Sequence, residues 1–250
     1  MKAALVTGGA RRIGRAIVEA LAGAGYAVAI HCRSSRAEAD KLAARLAAKG
    51  GRARVLAADL ARDEEVGQLV NAASDAVGRL TLLVNNASIF EEDGAAELDA
   101  AGFDRHVAVN LRAPLLLARD FARQAREGEN ASIVNVVDQR VLRPDPRFFS
   151  YTLTKAALWS ATRTMAQGFA PKLRVNAVAP GPTFANPRDG DEGLRREAAG
   201  TLLGRRVSGE AIAAAVLYLA GAENVTGQLL AIDSGQHLGW LTPDVQANLR

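Results

Sequence analysis

Short apolar segments and alanine-rich helical segments alternate along almost the whole chain, and that alternation leaves few folds open. The apolar segments are Lys2–Thr7, Ala27–His31, Arg54–Ala57, Leu80–Val84, Ser132–Val137, Arg174–Val178 and Gln228–Ile232. They are short and mostly β-branched, as strands buried on both faces should be. Segments with helical spacing lie between them: Ile13–Ala24, Arg36–Lys49, Asp63–Val77, Phe103–Arg126, Tyr151–Phe169 and Glu210–Leu219. The pattern predicts an α/β fold, one Rossmann-type doubly wound parallel sheet with helices on both faces. No linker, repeat or composition shift divides residues 1–250, so a single domain is expected. The longest stretch without periodicity runs from Pro180 to about Val207 and holds Pro180, Gly181, Pro182 and Pro187. A loop that long inside a compact domain is usually functional, and about 182–207 is expected to line a substrate pocket.

The first strand runs into Thr7-Gly8-Gly9-Ala10-Arg11-Arg12-Ile13-Gly14, which opens the first helix. Glycines at that place let backbone approach a pyrophosphate at a helix N-terminus. The second strand ends in His31-Cys32-Arg33-Ser34-Ser35, with no carboxylate before Glu38. An NAD site places Asp or Glu there for the ribose 2′-hydroxyl. Arg33 and the serines suit a 2′-phosphate instead, so the expected cofactor is NADP(H). Asp59, after the third strand, either holds the adenine or caps the helix that follows.

Tyr151 and Lys155 stand four residues apart, and Asp138 precedes the tyrosine by thirteen. Residues four apart share one face of a helix. A phenol next to an ammonium is a candidate proton donor, and the cation is expected to favour the phenolate. An ionised carboxylate at Asp138 accepts hydrogen bonds and donates none, so it suits a heterocycle with N–H groups better than a ketone oxygen. Phe90 offers a flat apolar face for stacking such a ring.

Taken together these residues resemble the short-chain dehydrogenase/reductase family over nearly the whole chain. The motifs fall in order: the glycine loop, Asp59, Asn85-Asn86-Ala87, Asn110, Tyr151 with Lys155, and Pro180-Gly181. Four departures carry more information. Arg12 replaces the middle glycine of the loop, Ser88 follows Ala87 where glycine is usual, Asp138 stands where the family has serine, and Phe90 follows closely. The set resembles the pteridine reductase branch, including bacterial dihydromonapterin reductases. The resemblance implies that Arg12 touches the cofactor phosphates and the substrate, unless it serves the phosphates alone. It also implies that Lys155 holds the nicotinamide ribose and tunes Tyr151, while Asn110 supports a water relay to the lysine. Asp138, Tyr151, Lys155 and Asn110 are thus the candidate catalytic residues. The candidate cofactor residues are Gly8, Arg12, Ile13, Gly14, His31, Arg33, Ser34, Asp59, Leu60, Asn86, Ala87, Tyr151, Lys155, Pro180 and Gly181. Arg12, Ser88, Phe90, Asp138 and Tyr151 are the candidate substrate residues.

The activity so implied is NADPH-dependent hydride transfer to a C=N bond of a dihydropterin-like ring. A carbonyl or 3-oxoacyl thioester reductase is the nearest alternative, and an NADP(H)-binding sensor without catalysis is a different class. The family implies a homo-oligomer, most often a tetramer built on helices that include Tyr151–Phe169. Net charge is +4, but aromatics are few and not interleaved with a basic stripe, so no nucleic-acid partner is expected. No run of about 18 apolar residues exists, so no membrane span is expected either. Cys32 is the sole cysteine, which fits a cytoplasmic protein. His31, His106 and His237 lack metal-ligand spacing. Trp159 is expected to serve helix packing or a subunit interface. Trp240, in Trp240-Leu241-Thr242-Pro243, stands in a tail that could close over a site.

Overall fold

The computed structural model describes residues 2–186 and 189–240. Pro187 and the tail Leu241–Pro243 lie outside the described residues. Seven parallel strands form one sheet in the order β3-β2-β1-β4-β5-β6-β7. They are β1 Ala3–Val6, β2 Ala27–Cys32, β3 Ala53–Ala57, β4 Leu82–Asn85, β5 Ser132–Val136, β6 Arg174–Pro180 and β7 Leu229–Ile232. The helices are α1 Arg12–Gly23, α2 Arg36–Ala48, α3 Asp63–Val77, α4 Ala100–His106, α5 Ala113–Gln124, α6 Phe149–Phe169, α7 Gly190–Ala199 and α8 Gly209–Gly221.

Side chains alternate across the strands and build two apolar layers. In β1, Ala4 and Val6 join Ile17, Leu21, Leu42 and Ile212 on the face covered by α1, α2 and α8. Ala3 and Leu5 join Val66, Leu69, Leu117 and Phe121 under α3 and α5. The strand order reverses between β1 and β4, whose registered pairs are Ala4–Leu82, Leu5–Leu83 and Val6–Val84. A crevice opens beyond the strand ends at such a switch point, and ligands bind there.

The doubly wound sheet is as expected, with element ends differing by a residue or two. Two segments differ in kind. The helix expected over Phe103–Arg126 is interrupted by a π-helical turn at Val107–Arg112, between α4 and α5. Asn110 sits in that turn and its amide ties the turn to the main chain of Ile89. The stretch from Pro180 to Val207 contains a helix, α7. Its sequence is charged and only Ala198 is buried, so no apolar stripe announces it.

Candidate active site

A cleft of about 1170 Å³ runs along the carboxyl ends of the strands. Its two ends are assembled differently. At the end over β1 and β2 the walls are main chain. Gly8 has φ +62°, and a Cβ there would lie 3.0 Å from Ala87 Cα. A Cβ on Gly14 would come within 2.1 Å of the Gly8 carbonyl oxygen, so the turn closes only with hydrogen at that position. Asn86 braces the loop from β4, its amide donating to the carbonyls of Thr7 at 2.9 Å and Gly8 at 3.2 Å. The main-chain N–H groups of Asn86 and Ala87 both donate to Thr7 Oγ1.

His31 lies beneath this loop. The Gly8 N–H donates to its Nδ1 at 3.1 Å, and its Nε2 lies 3.0 Å from the Ala58 carbonyl. A ring that accepts at Nδ1 donates at Nε2 and is neutral. Burial favours that state by pushing the imidazole pKa down. His31 is therefore a prop for the glycine loop and borders the cleft from below.

Arg33 and Ser34 stand exposed on the wall beyond β2. Asp59 makes a turn: its carboxylate accepts the Ala61 N–H at 3.0 Å and its carbonyl accepts the Arg62 N–H at 2.9 Å. Arg62, not Asp59, occupies the cap position of α3. Leu60 is mostly buried but lines the cleft, as do Ile13, Pro180 and Gly181. Close-packed glycine backbone at a helix N-terminus, with an arginine and a serine beyond the second strand, fits a dinucleotide carrying a 2′-phosphate.

Arg12 takes a left-handed conformation at φ 52°. Its guanidinium donates to the Phe184 carbonyl at 3.1 Å and lies 5.6 Å from the Phe184 ring centroid. It thus joins the glycine loop to the loop after β6. Burial and neighbouring Arg11 both lower its pKa.

The other end of the cleft is built from side chains. Tyr151 donates its phenolic hydrogen to Asp138 Oδ2 at 2.9 Å. The tyrosine is buried, and burial, with the nearby Asp138 charge and that hydrogen bond, raises its pKa well above the ordinary value. The expectation that the neighbouring lysine would favour the phenolate is therefore reversed here. Lys155 lies 5.7 Å from the Tyr151 ring centroid, and its Nζ donates to the Val136 carbonyl at 2.8 Å. It is 2% exposed, and desolvation brings its pKa down to about 8. Its proton is consequently easier to release than that of a surface lysine.

Phe90 is 39% exposed at the mouth. Phe148 stacks on one face, with ring centroids 4.1 Å apart and planes at 14°. Tyr151 meets Phe90 edge-on at 4.7 Å. One face of Phe90 is thus already taken. Ser88 turns its hydroxyl toward Asn110 Oδ1 at 3.1 Å. Fully buried Asn110 also reaches Thr154 at 3.4 Å, so it ties the Ser88–Ile89 loop to α6.

Sequence reasoning passed over three residues here. Arg140, two positions beyond Asp138, places Nη1 3.4 Å from each Asp138 oxygen. Phe148 supplies the ring behind Phe90. Asp93 accepts the Ser150 N–H at 3.0 and 3.2 Å and the Ser150 hydroxyl, capping the first turn of α6 from a distant loop. An aromatic three residues before the tyrosine and an arginine two after the aspartate were visible, but only the fold brings them together. Trp159 packs against the small core group of Val137, Leu158, Ala177 and Ala179 and is not among the residues lining the cleft. Trp240 is 57% exposed.

The chain matches, over residues 8–237, the family model described as enoyl-(acyl carrier protein) reductase. The 3-oxoacyl-[acyl-carrier-protein] reductase of Synechocystis sp. is 30% identical over 238 residues, covering 93% of this chain and 95% of the relative. Among solved structures, the FolM alternative dihydrofolate reductase 1 of Brucella canis, complexed with NADP, is 49% identical. That match covers 98% of this chain and 97% of the other, with a TM-score of 0.91. A short-chain dehydrogenase/reductase of Serratia marcescens is 35% identical, covers 94% and 98% of the two chains, and has a TM-score of 0.89.

Proposed function

The chain belongs to the short-chain dehydrogenase/reductase family, and we propose that it reduces a C=N bond of a dihydropterin-like heterocycle. It is an NADPH-dependent oxidoreductase, and the cofactor supplies the hydride when bound. Gly8, Arg12, Ile13, Gly14, Asn86, Ala87, Pro180 and Gly181 would hold its phosphates and nicotinamide, with Arg33 and Ser34 on the 2′-phosphate. His31 would act from behind the loop.

The observation that carries the pterin substrate is the Tyr151–Asp138 hydrogen bond of 2.9 Å at the place where the family has serine. Asp138 accepts, so it can hold the N–H groups of a heterocycle but cannot donate to a ketone oxygen. Tyr151 keeps its proton until a ring nitrogen needs it, because both burial and Asp138 oppose the phenolate. Buried Lys155, with a pKa of about 8, can then return a proton toward Tyr151. The exposed part of Phe90 takes the flat ring, which brings proximity and orientation. The likeness to a protein named as a dihydrofolate reductase supports the same substrate class. A homotetramer in the cytoplasm is part of the proposal, in keeping with family practice; no helix among the described residues is long and apolar enough to cross a membrane.

The family-model description and the Synechocystis relative favour a second reading, a reductase of acyl-thioester substrates. NADPH oxidation followed with dihydropterins, dihydrofolate and an acetoacetyl thioester separates the two. Turnover of a reduced pterin is expected, with Asp138→Ser lowering it by about 100-fold and improving ketone turnover. Turnover of the thioester alone, or unchanged pterin turnover by Asp138→Ser, would overturn the assignment.

A further inference from the structure

We propose that Arg140 is a positioning residue that fixes Asp138 and the Phe90–Phe148 pair as one unit, setting how a flat substrate meets Tyr151. The proposal rests on Asp138 and Phe90 being substrate groups. Arg140 meets both, through its main chain and its guanidinium. Its N–H groups serve the carboxylate: the main-chain N–H donates to Asp138 Oδ1 at 2.8 Å, and Nη1 lies 3.4 Å from both oxygens. Its charge flanks the stacked rings, with Cζ 5.4 Å from the Phe90 centroid and 5.1 Å from that of Phe148. Nη2 lies 3.7 Å from Asp145, whose carboxyl is held near pKa 2 chiefly by its hydrogen bond to Arg147.

Burial separates this pair from the other arginine–carboxylate contacts. The Arg140 side chain is 12% exposed, against 37–74% for the other arginines paired with carboxylates among the described residues. Exposed pairs hold little. A buried pair gives little net stability either, because desolvation offsets attraction, and its best-attested use is to fix an arrangement. Lysine could supply the charge at Arg140, but not the planar fork that reaches Asp138 and Asp145 together.

The groups facing the Asp138–Tyr151 pair are Arg140 and Lys155, with Asp145 and Arg147 behind Arg140. The Arg140 charge lowers the Tyr151 pKa against the larger effects that raise it. Removing it should move the alkaline limb of the pH–rate profile upward.

Wild type, Arg140→Gln and Arg140→Lys are compared for NADPH affinity, kcat, KM and pH profile. Wild type is assayed first with a dihydropterin and an acetoacetyl thioester, and the variants on whichever it uses. Arg140→Gln is expected to raise KM about tenfold, the loss of one charge-assisted contact, and to move the alkaline limb upward with NADPH affinity unchanged. Arg140→Lys should restore the limb but not KM. Unchanged KM and pH profile in both variants would overturn the role of Arg140. So would full rescue of KM by lysine. Failure of wild type to use any dihydropterin would instead remove the substrate class, which is a separate result.

Discussion

The two ends of the cleft are made of different material. The cofactor end presents backbone, braced from behind: a Cβ on Gly14 would collide with the Gly8 carbonyl, and the Thr7 hydroxyl, the Asn86 amide and the His31 ring each hold main-chain groups in place. The substrate end is side chain held by side chain: Tyr151 on Asp138, Asp138 on Arg140, Phe90 on Phe148. A surface of main chain asks only that its glycines and its few bracing side chains be kept. A side-chain cluster can be re-made one residue at a time, so one fold carries many substrates.

The sharpest attack on this contrast is Gly14→Ala. The new Cβ would meet the Gly8 carbonyl oxygen at 2.1 Å, and backbone cannot swing aside as a flexible side chain would. Loss of NADPH binding by at least about 100-fold is expected, from overpacking of about 3 kcal/mol. Titration of NADPH fluorescence measures it, and near-normal affinity would mean that the loop is softer than its contacts imply.

Lys155 sits where the two ends meet, and its burial should be visible in stability. Its folded pKa is about 8, against an ordinary 10.5. Between those values the unfolded chain binds more protons than the folded one, so stability rises with pH across that window. The shift is worth about 3 to 4 kcal/mol. Urea unfolding of the apoenzyme between pH 7 and 10.5 should show the rise in wild type and not in Lys155→Met. A parallel slope in both would assign it to other groups.

The smallest effect tests independence. Asp93→Asn weakens the cap on α6 and should cost about 1 kcal/mol of stability. It should also raise KM a few-fold while leaving NADPH affinity alone, because Asp93 braces only the substrate end. Equal losses at both ends would show that they move as one.

The same contrast governs what was legible in the sequence. The glycine loop, Arg33 and the strand–helix alternation are local patterns, and the sheet they predicted is the sheet that forms. The π-helical turn at Asn110 was hidden because the bonds that tie it down reach Ile89, distant in sequence. Helix α7 was hidden because it buries almost nothing. Asp138, Tyr151 and Phe90 could be named, but their neighbours could not. Arg140, Phe148 and Asp93 are ordinary residues until β5, α6 and the loop after β4 converge. The expected direction of the Tyr151 shift was wrong for a related reason: spacing gives the lysine's position, but not the burial and carboxylate that outweigh it.

The stack of Phe148 on Phe90 bears on the entropy of binding. A free aromatic side chain at a cleft mouth samples several rotamers and loses them when a ligand orders it, at roughly 0.5–1.5 kcal/mol. Phe90 has lost that freedom at folding, held by the parallel Phe148 ring and a perpendicular contact with Tyr151. A flat guest therefore meets a surface already at rest, and more of its contact energy remains available for holding the guest.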